Sequence, residues 1–216
     1  MSIDIDKVNE ELRGKDPLDI VRWAVEHSDE IICSTNFRPH EAVILHMATQ
    51  IKPDMPILWA DGGYALKETY VFAQKVIDQL NLNMKVYNPL MTTARREAVK
   101  GTVPSIDDKE AHDDFTWDTK IEPFRRGLDE LKPKVWLTAI RKEQTETRAS
   151  LDHVSMGPDG VIKVSPVFYF TDEDMEAYLA EHDLPDEKTY FDPTKVLAKR
   201  ECGLHVVDGK LQRANQ

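Results

Sequence analysis

Ile31-Ile32-Cys33-Ser34-Thr35-Asn36-Phe37 is the stretch on which the reading of the fold turns. It opens as a short apolar run and turns polar within five residues, which suits a buried strand that ends at an exposed edge. A helical pattern over Glu41–Ile51 follows and is stopped by Pro53. The same alternation then repeats. Pro56-Ile57-Leu58-Trp59-Ala60 reads as a second buried strand, 66–80 as a helix, Met84-Lys85-Val86-Tyr87 as a third strand and 93–100 as a helix. Upstream, Asp16-Pro17 opens a helix with Leu18, Val21, Ala24 and Val25 on one stripe, proline fitting the first helical position. Downstream, the polar, acidic stretch 101–118 reads as a long loop, 120–131 as a helix ended before Pro133, and 134–140 as a fourth strand. Gly157-Pro158-Asp159-Gly160 suits a hairpin turn between Val154 and Val161-Ile162-Lys163-Val164. Thr171 suits the N-cap of a helix over Asp172–Glu181, and little periodicity is visible from Leu184 onward. Alternating strands and helices predict an α/β fold, a doubly wound, mostly parallel sheet with helices on both faces. Ligands of such sheets bind beyond the carboxyl ends of the strands. The expected organisation is a nucleotide-binding α/β domain over 1–183 and a tail over 184–216.

Bulk composition bounds the function. With 216 residues, 41% hydrophobic and 31% charged, the chain suits one globular domain. A net charge of −11 argues against general binding to nucleic acid or an anionic membrane, although cations can still converge locally on an anionic substrate. No apolar run reaches the roughly 20 residues of a membrane span. Met1-Ser2-Ile3-Asp4-Ile5-Asp6 is acidic and unlike a signal peptide, so the expected compartment is the cytoplasm. Cys33 and Cys202 are the only cysteines, too few for a structural zinc site or a four-cysteine iron–sulfur cluster within this one chain.

Four places could carry chemistry. Ser34, Thr35, Asn36 and Phe37 lie between a strand and a helix, where backbone amides and hydroxyls can hold a phosphate or sulfate; a polar turn fits them equally. No GxxxxGK[ST] pattern is present, and Arg38-Pro39 replaces the glycines of a Gly-rich cradle. Asp61-Gly62-Gly63 follows the second strand, where glycines let a backbone approach a ligand or simply make a tight turn. Arg141, Lys142, Gln144 and Arg148 follow the fourth strand at the edge where a ligand belongs, and Lys120, Arg125 and Arg126 form another basic cluster at a helix start. Lys199-Arg200-Glu201-Cys202-Gly203-Leu204-His205 is the sharpest feature. A thiolate is the nucleophilic form of cysteine, and neighbouring cations such as Lys199, Arg200 and His205 favour it, while Glu201 opposes it. Cys202 lies in a charged, nonperiodic stretch, whereas Cys33 lies in an apolar run. Cys202 is therefore the expected nucleophile and Cys33 a core residue.

In this order the residues resemble the 3′-phosphoadenylyl-sulfate (PAPS) reductases, over nearly the whole chain. The resemblance rests on the Ser34-Thr35-Asn36-Phe37 loop; on Asp61-Gly62-Gly63-Tyr64 through Glu68-Thr69-Tyr70; on Lys120-Ile121-Glu122-Pro123; on Arg141-Lys142-Glu143-Gln144 with Arg148; and on the 199–205 heptapeptide. It implies an adenine nucleotide alpha hydrolase-like fold of the PP-loop type, usually a homodimer. It also implies catalysis by Cys202 through a cysteine S-sulfonate, with no bound cofactor and thioredoxin or glutaredoxin as electron donor. The substrate-binding residues it implies are Ser34, Thr35, Asn36, Phe37, Asp61, Gly62, Gly63, Lys120, Arg141, Lys142, Gln144, Arg148, Arg200 and His205. Relatives that reduce adenylyl sulfate carry a Cys-Cys pair and a CxxC, which this chain lacks. The chain departs from the family at Arg38-Pro39-His40. It departs again before Lys199, where Tyr190-Phe191-Asp192-Pro193 stands in place of a longer segment containing Gly-Asp-x-His. An adenylyl-sulfate reductase, an ATP pyrophosphatase of the same fold and a nucleotide-binding protein without catalysis are the competing readings; a pyrophosphatase should carry Ser-Gly-Gly-x-Asp-Ser, and Ser34-Thr35-Asn36-Phe37-Arg38-Pro39 is not that loop.

Overall fold

The computed structural model describes residues 3–145, 148 and 150–194, and the backbone of His205–Val207 and Lys210–Gln212. Six strands form one sheet: β1 (Ile31–Thr35), β2 (Pro56–Ala60), β3 (Asn83–Tyr87), β4 (Val135–Leu137), β5 (Val154–Met156) and β6 (Ile162–Val164). Their order is β3-β2-β1-β4-β6-β5; every pairing is parallel except β5 with β6. The chain builds β1, β2 and β3 outward in one direction. It then returns across the sheet to place β4 on the other side of β1, so the order reverses between β1 and β4.

Side chains alternate across the strands. Ile31, Cys33, Ile57, Trp59, Val135 and Leu137 enter one core; Ile32, Leu58, Ala60 and Trp136 enter the other. The larger core is covered by α2 (Pro17–His27), α3 (Glu41–Ile51), α4 (Lys67–Leu80) and α8 (Asp172–Glu181), the smaller by α7 (Glu122–Leu131). Asp16 caps α2 by accepting from Leu18 N–H (2.8 Å), with Pro17 in the first turn. Thr171 and Asp174 form a reciprocal capping box at the start of α8. The hairpin turn closes with Asp159 and Gly160 at positive φ. Buried Cys33 belongs to the core as expected; burial, with Glu41 adding to it, pushes its thiol well above the ordinary value.

Three expectations are corrected. The stretch 101–118 is not all loop: α6 (Lys109–Thr116) lies in it, Asp108 capping Ala111 N–H at 3.1 Å. Its buried face is His112, Phe115 and Thr116, too polar a stripe to register as hydrophobic periodicity. The helix expected over 120–131 begins instead as a π-helical turn, Trp117–Ile121, which joins α6 to α7. The fourth strand is shorter than 134–140, because Thr138 makes one last bond to Val164 O (2.9 Å) before the chain leaves the sheet. In the tail, β7 (His205–Val207) and β8 (Lys210–Gln212) pair antiparallel. One element was not foreseen: α1 (Ile5–Leu12), whose Asn9 exchanges two hydrogen bonds with Val154 (2.8 and 2.9 Å). That amide saturates backbone groups of edge strand β5, which would otherwise invite pairing. Within the expected tail, residues 190–194 reach the carboxyl edge of the sheet and line the cleft described below. Among the described residues no helix is long and apolar enough to cross a membrane.

Candidate active site

A small cleft, open to solvent, lies where the carboxyl ends of β1 and β2 meet the π-helical turn and residues 190–194. Asn36, Asp61, Gly62, Tyr64, Thr119 and Lys120 line it on one side, and Tyr190 through Thr194 on the other. The cleft lies at the carboxyl edge of the sheet, where ligands of such folds bind.

Each wall has a local cause. Asp61 Oδ1 accepts from Gly63 N–H (2.9 Å) and from the Tyr70 hydroxyl (2.7 Å), which fixes the loop after β2. Burial, and then the Asp61 carboxylate, push the Tyr70 phenol well above its ordinary value, so it stays a proton donor. The glycines serve protein contacts rather than a ligand approach alone. A Cβ at Gly62 would sit 2.7 Å from Thr119 O, and one at Gly63, where φ is +78°, would sit 2.2 Å from Thr93 Oγ1. Gly62 thus lets the π-helical turn come close enough to aim Lys120 at the cleft. π-Helical turns insert an extra residue and recur at functional sites.

The loop after β1 is organised around Glu41, a buried carboxylate that the sequence did not single out. Its Oε2 accepts from Thr35 Oγ1 (2.7 Å) and Asn36 N–H (2.6 Å), and its Oε1 from Arg38 Nε (2.7 Å). Ser34 Oγ accepts from the Trp136 indole N–H (2.8 Å). Phe37 is a core residue, 1% exposed and at φ +50°, edge-on to Trp59. Of the four loop residues expected at the substrate, Asn36 lines the cleft; Ser34, Thr35 and Phe37 are engaged within the fold. The departure Arg38-Pro39-His40 has a structural role too. The Arg38 guanidinium reaches Ala139 O (3.3 Å) and ties the β1 loop to the end of β4.

The two basic groups separate. Lys120 lines the cleft, where its ammonium meets Asp192 Oδ2 and Thr194 Oγ1 (3.2 Å). Burial alone would raise the Asp192 carboxyl, but the Lys120 charge and hydrogen bonds from Thr194 bring it below its usual range. Arg141 does not reach the cleft. It is 6% exposed, and its guanidinium is held by Glu143 (2.6 Å), Asp172 (2.5 Å) and Phe170 O (3.2 Å). Lys142 Nζ lies 5.5 Å from the centre of the Tyr169 ring. Gln144 Oε1 accepts from Arg141 N–H (3.1 Å) and from the Arg148 guanidinium. In this structure Arg141 and Lys142 are engaged with the segment 168–172, and Gln144 bonds Arg141 and Arg148 within the loop. Arg126 pairs with Glu122 on its own helix (2.8 Å). Sequence reasoning missed His112, buried in α6, whose Nε2 lies 3.2 Å from Pro193 O; a histidine inside an acidic stretch was the available signal. Cys202 and Arg200 lie outside the described residues, as does the His205 side chain.

A doubly wound sheet with a cleft at its carboxyl edge, carrying a lysine and backbone turns but no Walker loop, defines a nucleotide-binding α/β protein of the adenine nucleotide alpha hydrolase kind. Solved structures agree on that fold. The PAPS reductase from Candida auris, solved as a phosphate complex, superposes with a TM-score of 0.75 over 86% of this chain and 90% of its own, at 24% identity. An FMN adenylyltransferase from Candida glabrata (TM-score 0.57, 12% identity, 86% of this chain and 61% of its own) shares it too. So does an NH3-dependent NAD synthetase from Campylobacter jejuni (0.53, 10% identity, 84% and 75%). The model of the phosphoadenosine phosphosulfate reductase domain matches residues 30–194. A phosphoadenosine 5′-phosphosulfate reductase from Synechococcus is 36% identical over 180 residues, 83% of this chain and 77% of its own length. One from Vibrio parahaemolyticus is 35% identical over 231 aligned positions, 95% and 88%. This chain belongs to the phosphoadenosine phosphosulfate reductase family.

Proposed function

We propose that this chain reduces PAPS to sulfite and adenosine 3′,5′-bisphosphate. The observation that carries the reading is that the matched region, 30–194, contains both walls of the cleft, from Asn36 through Lys120 to the Asp192-Pro193-Thr194 segment. In this reading the Cys202 thiolate attacks the sulfonate sulfur. An S–S bond forms, the S–O bond to the 5′-phosphate breaks, and the nucleotide leaves with the electron pair. Cations that neutralise the sulfonate oxygens let an anionic nucleophile approach. Lys120 is the described residue suited to that task, with Arg200 and His205 as further candidates from the tail. A thiolate of thioredoxin or glutaredoxin then attacks the Cys202 sulfur, sulfite departs, and the donor's second thiol resolves the mixed disulfide, supplying the two electrons. With Cys33 buried in the core, the resolving thiol has to come from outside. Reduction by a cytoplasmic dithiol protein, in a homodimer, completes the proposal. The test is mass spectrometry of the protein mixed with PAPS or adenylyl sulfate without reductant. One sulfonate should appear on Cys202 with PAPS, Cys202→Ser should abolish both adduct and sulfite release, and Cys33→Ser should keep them. Absence of the adduct with both nucleotides defeats the reading; an adduct with adenylyl sulfate alone reassigns the substrate.

A further inference from the structure

Residues 190–194 form a short strap across the cleft, and the group that pins it is the one suited to the substrate. The Lys120 and Asp192 side chains keep 12% and 10% of their exposure, so their ion pair is largely withdrawn from water. Asp192 Oδ1 also accepts from Thr194 N–H (3.0 Å) and Thr194 Oγ1 (2.6 Å), and His112 meets Pro193 O. The strap is therefore tied to α6 at Pro193 and to the π-helical turn at Lys120.

This arrangement conflicts with anion binding. A ligand oxyanion reaching Lys120 would meet a carboxylate already on the same ammonium. Two anions sharing one poorly hydrated cation repel each other, and one of them is neutralised or displaced. We propose that Asp192 is a specificity-determining residue that stands in for the ligand's oxyanion at Lys120. A sulfonate or phosphate of the nucleotide exchanges with the Asp192 carboxylate, and the exchange releases the strap. A multiply charged ligand wins this exchange against a single carboxylate, whereas a singly charged one does so poorly, so the pair discriminates by ligand charge. The nucleotide part rests on the reductase reading; the anion part does not.

Asp192→Asn separates charge from shape. The amide oxygen still accepts from Thr194, so the strap keeps its turn while the competing charge is gone. The experiment is calorimetric titration of the full chain, as wild type, D192N and D192E, with inorganic sulfate, inorganic phosphate and adenosine 3′,5′-bisphosphate. All three probes should bind D192N at least tenfold more tightly than wild type, and D192E should restore wild-type affinity. Hydrogen exchange at the Thr194 amide should rise when wild type binds any of them. Equal or weaker binding to D192N, or slower exchange at Thr194 on binding, overturns the proposal. Should the bisphosphate bind neither form while the inorganic anions tighten on D192N, the exchange stands and the reductase reading falls. Should the bisphosphate bind both forms equally, the reverse holds.

Discussion

Lys120 and Arg141 are both cations near the carboxyl edge of one sheet, and both are paired with carboxylates, yet they do different work. Arg141 is held by two carboxylates and a carbonyl, and it fastens the loop after β4 to the start of α8. Lys120 is paired with Asp192, a carboxylate that sits on a strap bordering open space. Position at the correct edge does not make a cation an anion site. What decides is whether an arriving anion can reach it, and how many protein acceptors it would have to replace.

Removing each cation separates the two roles most sharply. Lys120→Met should leave Asp192 as an uncompensated buried charge, at about 3–5 kcal/mol of stability. In the protein that remains folded, kcat/KM for PAPS should fall by about a hundredfold or more, in steady-state sulfite release. Arg141→Met should cost about 2 kcal/mol through lost charged hydrogen bonds, with KM for PAPS unchanged. A matched rise in KM for Arg141→Met would erase the contrast. Gly62→Ala sharpens it at the next level. Its Cβ would press on Thr119 O, so about 1–3 kcal/mol should be lost in a denaturant titration, with KM rising because the turn carrying Lys120 is pushed away. The smallest effect belongs to the Arg141 side. Thr171→Ala removes the cap of α8 at about 1 kcal/mol, visible as a lower Tm, and should leave nucleotide affinity untouched.

Much of the fold was legible because its signals are local. Asp16-Pro17 caps α2, Pro53 follows the end of α3, and the apolar runs of β1, β2 and β4 name themselves. The helix α6 was not, since a stripe of His112, Phe115 and Thr116 reads as polar until the fold shows what it packs against. The site was partly legible. Asn36, Asp61, Gly62 and Lys120 do meet at one cleft. Ser34, Thr35 and Phe37 differ from Asn36 only in where their side chains go, and an adjacent-residue motif carries no information about that. Glu41 escaped notice, and Asp192 was marked only as part of the Tyr190-Phe191-Asp192-Pro193 departure, because a carboxylate becomes informative only through its partner, which for Asp192 is 72 residues away.

From the order of residues alone came the alternation of strands and helices, the separation of a cysteine in an apolar run from a cysteine in a charged, nonperiodic stretch, and the likeness to a family of sulfonucleotide reductases. These depend on neighbours in the chain and on motifs in series. The tertiary structure decided which cation lines the cleft and which is tied into the scaffold. It also brought residues 190–194 onto Lys120. Both outcomes depend on contacts between segments far apart in sequence, where burial strengthens a charge pair and the geometry of the sheet edge determines which pair lies beside open space.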